Sequence, residues 1–207
     1  MGVFSQSARV LAGGIALAAW MGLVAQFLAT LGLKGSLPEA LWVLLRYFTV
    51  ITNLILAVVF TGVAAGRRGF SEPTLLGGVT LAILLVGVVY GLLLRDLVEL
   101  SGGAKLADLL LHHVTPILAP LFWLAYAPKG NLQLRDPLVW VLFPLIYFIY
   151  ALVRGLSGDL YAYPFMGAGQ IGWLRTIVNG LIMAAGFIAV GYVAVWLDAR
   201  LARRAGV

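Results

Sequence analysis

The chain has 207 residues, of which 62% are hydrophobic and only 11% charged, with a mean hydropathy of +1.03. A soluble globular domain carries about 25% charged residues, so the composition excludes one and points to an integral membrane protein. The net charge of +6 gathers at span ends and the C-terminus, where it sets topology and meets anionic headgroups, so no nucleic-acid partner is expected. Cysteine is absent, which excludes disulfides, thiolate metal sites and a cysteine nucleophile.

Apolar runs bounded by charge and turn residues predict six transmembrane helices, at about 9–32, 40–65, 74–98, 106–127, 137–155 and 173–197. The expectation is an all-α bundle forming a single domain over residues 1–207. The first run is longer than the apolar stretch of a signal peptide and reads as a retained span. Breakers close the spans in turn: Lys34-Gly35-Ser36-Leu37-Pro38, Gly66-Arg67-Arg68-Gly69, Ser101-Gly102-Gly103 and Pro128-Lys129-Gly130-Asn131. The fifth connection, 155–172, is longer and contains Tyr161-Ala162-Tyr163-Pro164-Phe165, which reads either as a cap folded over the bundle or as an interfacial aromatic belt. Gly62 and Gly66, and again Gly87 and Gly91, have the spacing that lets apolar helices approach closely. Packing within the bundle is the simpler use of these pairs, and homo-oligomerisation is the alternative.

Counting Lys and Arg on alternate sides gives eight at the N-terminus, second and fourth connections and C-terminus, against six on the other side. That bias places both termini in the cytoplasm and the protein in the cell's inner, cytoplasmic membrane. Thr49 and His113 then both enter the membrane from the outer face, at the starts of the second and fourth spans.

Two polar stretches interrupt the apolar pattern. Asp108 to Pro120 holds both histidines of the chain, and Arg46-Tyr47-Phe48-Thr49 continues to Thr52 and Asn53. Ionisable groups inside spans are costly and mark a functional site by default. Adjacent histidines point about 100° apart on an α-helix, so His112 and His113 cannot share one ion; Asp108 and His112, at i and i+4, give only two ligands where catalytic zinc needs three. No metal or organic cofactor is therefore expected. The serine-elbow pattern is broken, because Gly155-Leu156-Ser157-Gly158 runs into Asp159. A threonine can still act as nucleophile if a histidine removes its proton and donors stabilise the oxyanion. Thr49 and Asn53 share a helix face and suit that chemistry, as nucleophile and as oxyanion or positioning residue. The blander reading is that Thr and Asn bond the backbone or a neighbouring helix. Likewise Asp108 and His112 read as a local pair at a helix start, leaving His113 to face inward, and Arg46, Arg95 and Arg154 either snorkel to headgroups or bind a carboxylate.

Three segments in order, R-Y-F-T-V-I-T-N-L-I-L, L-L-L-H-H-V-T-P-I-L-A-P-L-F-W with A-P-K-G, and Y-A-Y-P-F, resemble the bacterial branch of the androgen-induced-gene and androgen-dependent tissue-factor-pathway-inhibitor-regulating family of six-helix membrane proteins. The likeness spans nearly the whole chain. Animal members of that family are threonine hydrolases of fatty acid esters of hydroxy fatty acids, so the resemblance implies an intramembrane hydrolase cleaving lipid esters through an acyl-threonine. It places the nucleophile at Thr49 and the base at His113, since His113-Val114-Thr115 fits the family's histidine frame better than His112 does. The family's further histidine and Asn are missing here, where Asp108 to Leu111 stand. Around that pair, Arg154 and Arg46 would hold a carboxylate or headgroup, and Tyr163 and Phe165 would border the entrance. The expected partners are membrane lipids and a lipid ester substrate. The alternative is a lipid-binding or transport protein whose polar pocket holds a ligand without cleaving it.

Overall fold

The computed structural model describes residues 4–95, 100–158 and 160–205; Asp159, which breaks the serine-elbow pattern, lies outside them. The described regular structure is helical throughout. Five helices are long and apolar enough to cross a membrane: Gln6–Lys34, Pro73–Leu94, Gly102–Tyr126, Asp136–Leu156 and Trp173–Arg204. A bent pair, Leu37–Leu44 and Phe48–Ala64, makes up to six. The chain is an all-α protein of multi-pass membrane character. It divides into two compact units, Met1–Asn131 and Leu132–Val207, at the fourth connection.

In the first unit, α1 (Gln6–Lys34) starts where the Ser5 hydroxyl accepts the Ala8 amide at 3.3 Å. It ends where Gly35, at φ 73°, turns left-handed and donates to Leu31 O at 2.8 Å. Its buried face is small, with Ala8, Ala12, Ala16, Ala19 and Gly22, so α3 (Phe48–Ala64) packs closely along it. The expected continuous second span, 40–65, is instead broken. Helix α2 (Leu37–Leu44) begins on Pro38, and α3 leaves it at 92°. Arg46 and Tyr47 make the corner: their amides donate back three residues, to Val43 O and Leu44 O, and Tyr47 is extended at φ −95°, ψ 129°.

Helix α4 (Pro73–Val89) continues as a π turn, Tyr90–Leu94, closed by the Arg95 amide on Tyr90 O at 3.0 Å. The expected end of that span, at 98, falls outside the described residues. Helix α5 (Gly102–Asp108) runs through a second π turn, Leu109–Val114, into α6 (Thr115–Tyr126). Two glycines of the sequence pairs are filled from within this unit. A Cβ on Gly62 would overlap the Phe70 ring, and one on Gly87 would meet Pro116 Cβ at 2.6 Å. Gly66, at φ 73°, serves the turn after α3, and Gly91 has open space around it.

The second unit holds α7 (Asp136–Trp140), α8 (Leu142–Leu156), the four-residue α9 (Ala168–Ile171) and α10 (Trp173–Ala205). The buried Asp136, first residue of α7, holds the preceding turn by accepting the Gln133 amide at 2.8 Å, and the buried Asp198 accepts the Leu132 amide at 3.0 Å. The aromatic connection is tied to this unit at both ends. The Tyr161 ring lies where a side chain on Gly155 would be, and Asn179 Nδ2 donates to Phe165 O at 3.0 Å.

The packing makes a testable distinction among glycines. Gly62→Ala should destabilise the protein by about 1–3 kcal/mol, because the Phe70 ring must shift. Gly14→Ala, with nothing within 4 Å of its Cβ, should leave stability unchanged or raised. Thermal unfolding of both variants in one detergent measures the difference.

Candidate active site

Thr49 sits in the first turn of α3, directly after the corner, with its side chain buried. Its Oγ1 lies 3.2 Å from His112 Nε2, across 63 residues of sequence. On the other side of the ring, His112 Nδ1 lies 3.0 Å from Asp108 Oδ1. An ionised carboxylate can only accept, so Nδ1 carries the hydrogen it donates to Asp108, and Nε2 is left to accept from the threonine hydroxyl. Hydroxyl, imidazole and carboxylate thus form a hydrogen-bonded chain with the polarity of a nucleophile, its base and the group that orients the base.

The histidine at Thr49 is therefore His112, where His113 was expected. The sequence reading took Asp108 and His112 as a pair turned away from the site, whereas the face they share is the one toward α3. The next residue on the helix turns away, so the His113 side chain is 45% exposed. A π turn spans more than four residues, which sets Asp108 between positions i+4 and i+5, and Asp108 Oδ2 reaches to 3.9 Å from His113 Nε2. The Tyr90 ring completes the cluster. It stacks on His112 with centroids 4.0 Å apart and planes at 15°, and meets His113 edge-on at 5.4 Å. Tyr90 escaped the sequence reading because an aromatic near a span end looks like any interfacial residue. Neither π turn has a signal in hydrophobic periodicity.

Proline explains why the second π turn needs support and how it gets it. In π register the amide of residue 116 would serve the carbonyl of Leu111, but Pro116 has none. Asn53 supplies the hydrogen from the neighbouring helix. Its Nδ2 donates to Leu111 O at 3.2 Å and to Thr49 O at 2.9 Å. Its Oδ1 accepts from Thr115 Oγ1 at 2.7 Å. Both hydrogens of the Asn53 amide are thereby used, and the residue is fully buried. Of the two expected parts, oxyanion or positioning residue, these contacts fit the second: Asn53 is a strut tying the threonine's helix to the histidines' helix. Gly22 of α1 makes room on the far side, where a Cβ would come within 2.6 Å of Leu111.

The remaining expected residues are placed as follows. Arg46 is buried at the α2–α3 corner, three residues before Thr49. Arg154, also buried, lies on α8 with its Nη1 donating to Tyr150 Oη at 3.0 Å. Tyr163 and Phe165 stack with centroids 5.2 Å apart and planes at 8°. These last three belong to the second unit, Leu132–Val207, and Thr49, Asn53, Asp108 and His112 to the first. Thr52 is buried with its hydroxyl unpaired, outside the hydrogen-bonded set. Among the described residues no three of His, Asp and Glu converge as metal ligands.

No family model, curated protein or solved structure matches the chain.

The strut makes a prediction that separates it from ordinary buried threonines. Thr115→Val keeps the shape but strands Asn53 Oδ1, and should cost about 1–3 kcal/mol. Thr80→Val removes a buried hydroxyl that has no hydrogen-bond partner, and should be neutral or stabilising. Thermal unfolding in detergent measures both.

Proposed function

We propose that the chain is a membrane hydrolase of lipid esters in which Thr49 is the nucleophile, His112 the base and Asp108 the residue that orients it. The observation that carries this reading is the Thr49 Oγ1 to His112 Nε2 contact at 3.2 Å, with Asp108 on the opposite ring nitrogen at 3.0 Å. The resemblance of the R-Y-F-T and H-H-V-T-P segments to the threonine hydrolases of fatty acid esters supports it from the sequence side. Both termini in the cytoplasm, and an inner-membrane location, follow from the Lys and Arg bias.

The steps balance on the residues named. His112 Nε2 takes the Thr49 hydroxyl proton as Oγ1 attacks the ester carbonyl, and Asp108 stabilises the imidazolium through Nδ1–H. The tetrahedral intermediate collapses with the C–O bond of the alcohol breaking, and His112 returns the proton to the departing oxygen. An acyl-threonine and a free alcohol result. Water then attacks the acyl carbonyl, giving its proton to His112, and the proton returns to Thr49 Oγ1 as the carboxylic acid leaves. With Asn53 committed to the backbone, the negative oxygen falls to the N-terminus of α3. The Thr49 amide precedes the first amides that find Tyr47 O, those of Val50 and Ile51, and the helix dipole favours negative charge there. Tyr90 holds the imidazole plane from behind. Arg46 is the nearer candidate for an acidic or phosphate group of the substrate, on account of its place beside Thr49.

Labelling of the purified protein in detergent and in lipid with a fluorophosphonate probe tests this reading. Thr49→Ala and His112→Ala should abolish labelling, Asp108→Asn should slow it by about 10²–10⁴-fold, and His113→Ala should keep it. Loss in His113→Ala with retention in His112→Ala would reverse the assignment of the base. A folded wild type that labels no better than Thr49→Ala would remove the hydrolase reading and leave a ligand-binding pocket.

A further inference from the structure

The corner between α2 and α3 fixes how deep in the bilayer the reactive hydroxyl can lie. Helix α2 leaves α3 at 92°, so with α3 set along the bilayer normal α2 runs in the membrane plane. Its outward face is apolar and exposed, with Leu37, Leu41, Trp42 and Leu45, while Ala40 and Leu44 are buried against the protein. A short helix with such a face, lying across the spans, rests at the boundary between headgroups and acyl chains. A cleft beside it, lined by Lys34, Pro38, Glu39, Trp42 and Val43, carries one cation and one anion, as surroundings of headgroup character require.

Charged residues also stand at or near the ends of the other helices of this unit. Lys34 closes α1, Arg95 follows the first π turn, and Lys105 lies in α5. Along their helix Asp108 is three residues from Lys105, about 5 Å, and His112 seven, about 10 Å, and Thr49 Oγ1 lies 3.2 Å from His112 Nε2. The hydrocarbon core is about 30 Å of a total near 40–45 Å, so each polar layer is only about 5–8 Å thick. With Lys105 in the headgroup layer, groups roughly 5–10 Å further along its helix are at the polar–apolar boundary or just beneath it.

We infer that the site takes an ester lying within a few bonds of a polar headgroup, as the acyl ester of a glycerolipid does, in preference to an ester buried midway along an acyl chain. This rests on the hydrolase reading and narrows its substrate class. An ester at the ninth or twelfth carbon of a chain whose carboxylate stays in the headgroup layer lies about 10 Å or more deeper. Reaching Thr49 would then require drawing the charged end out of the polar layer, or bending the chain back. The step is the one already written: the acyl C–O bond of the glycerol ester breaks, glycerol oxygen takes the proton from His112, and water releases the fatty acid.

Two measurements test the inference apart from the hydrolase reading. Wild-type protein, shown by probe labelling to have a reactive Thr49, is reconstituted in vesicles of ether-linked phosphatidylcholine, which offers no ester. A monoacylglycerol is compared at equal mole fraction with a fatty acid ester of 9- or 12-hydroxystearic acid, and Thr49→Ala is the blank. The glycerol ester should be hydrolysed at least tenfold faster. Equal rates, a faster mid-chain ester, or a labelled enzyme that cleaves neither would overturn the inference and leave Thr49 reactivity standing. The second measurement needs no turnover. The natural chain has no cysteine, so a nitroxide on Leu45→Cys can be compared with one on Leu54→Cys, both at exposed positions. Depth measured against lipid-soluble and water-soluble relaxers should put the Leu45 label at the headgroup boundary and the Leu54 label about 10 Å deeper. A Leu45 label as deep as that at Leu54 would remove the interfacial placement of α2, and the inference with it.

Discussion

Pro116 withholds one amide hydrogen from the helix that carries both histidines, and much of the first unit is arranged around that deficit. The carbonyl left over, Leu111 O, is fully inside the protein, where an unpaired acceptor costs about 1–3 kcal/mol. Asn53 meets it from α3, and in doing so also binds the carbonyl of Thr49. One side chain therefore answers a backbone defect on one helix and fixes the start of another. The distance between the threonine hydroxyl and the imidazole follows from that double attachment. Thr115 closes the arrangement by engaging the remaining oxygen of the amide.

The same economy shows in the glycines. Gly22 and Gly87 stand on opposite sides of the second π turn and its proline, each in a place that a methyl group would already crowd. A π turn is wider than an α turn and needs accommodation from whatever packs against it. Small residues on α1 and α4 provide this, and the spare width rotates Asp108 to a position between two imidazoles. Tyr90, itself at the start of a π turn, covers them from α4. Two irregular turns on neighbouring helices thus meet at the polar cluster around Thr49, consistent with the habit of such turns to gather at functional sites.

Much of this was legible in the sequence and some was not, for reasons that can be named. Hydropathy finds the spans because the bilayer demands about 20 apolar residues. It cannot find the 92° corner, since Leu37 to Leu44 is as apolar as a spanning segment and only Arg46 hints at the break. Thr49 stood out as a hydroxyl opening an apolar run beside an arginine. The partner histidine was misjudged, because Asp108 at i−4 made His112 look locally satisfied, and a residue can be satisfied on one ring nitrogen and available on the other. Asn53 was seen as polar and well placed, but sequence does not show that both of its hydrogens are already committed to carbonyls. Asp108 and Tyr90 carry no motif that would have marked their parts.

All members of the hydrogen-bonded cluster, from Thr49 through Asn53, Tyr90, Asp108 and His112 to Thr115, lie in the unit that ends at Asn131. Lys129 finishes that unit by capping α6, its Nζ donating to Trp123 O and Ala127 O. Arg154, Tyr163 and Phe165 lie beyond it. The cluster around Thr49 and these three residues thus belong to different units. The donors and acceptors named around Thr49 all come from residues before 131, so a substitution confined to 132–207 removes none of them.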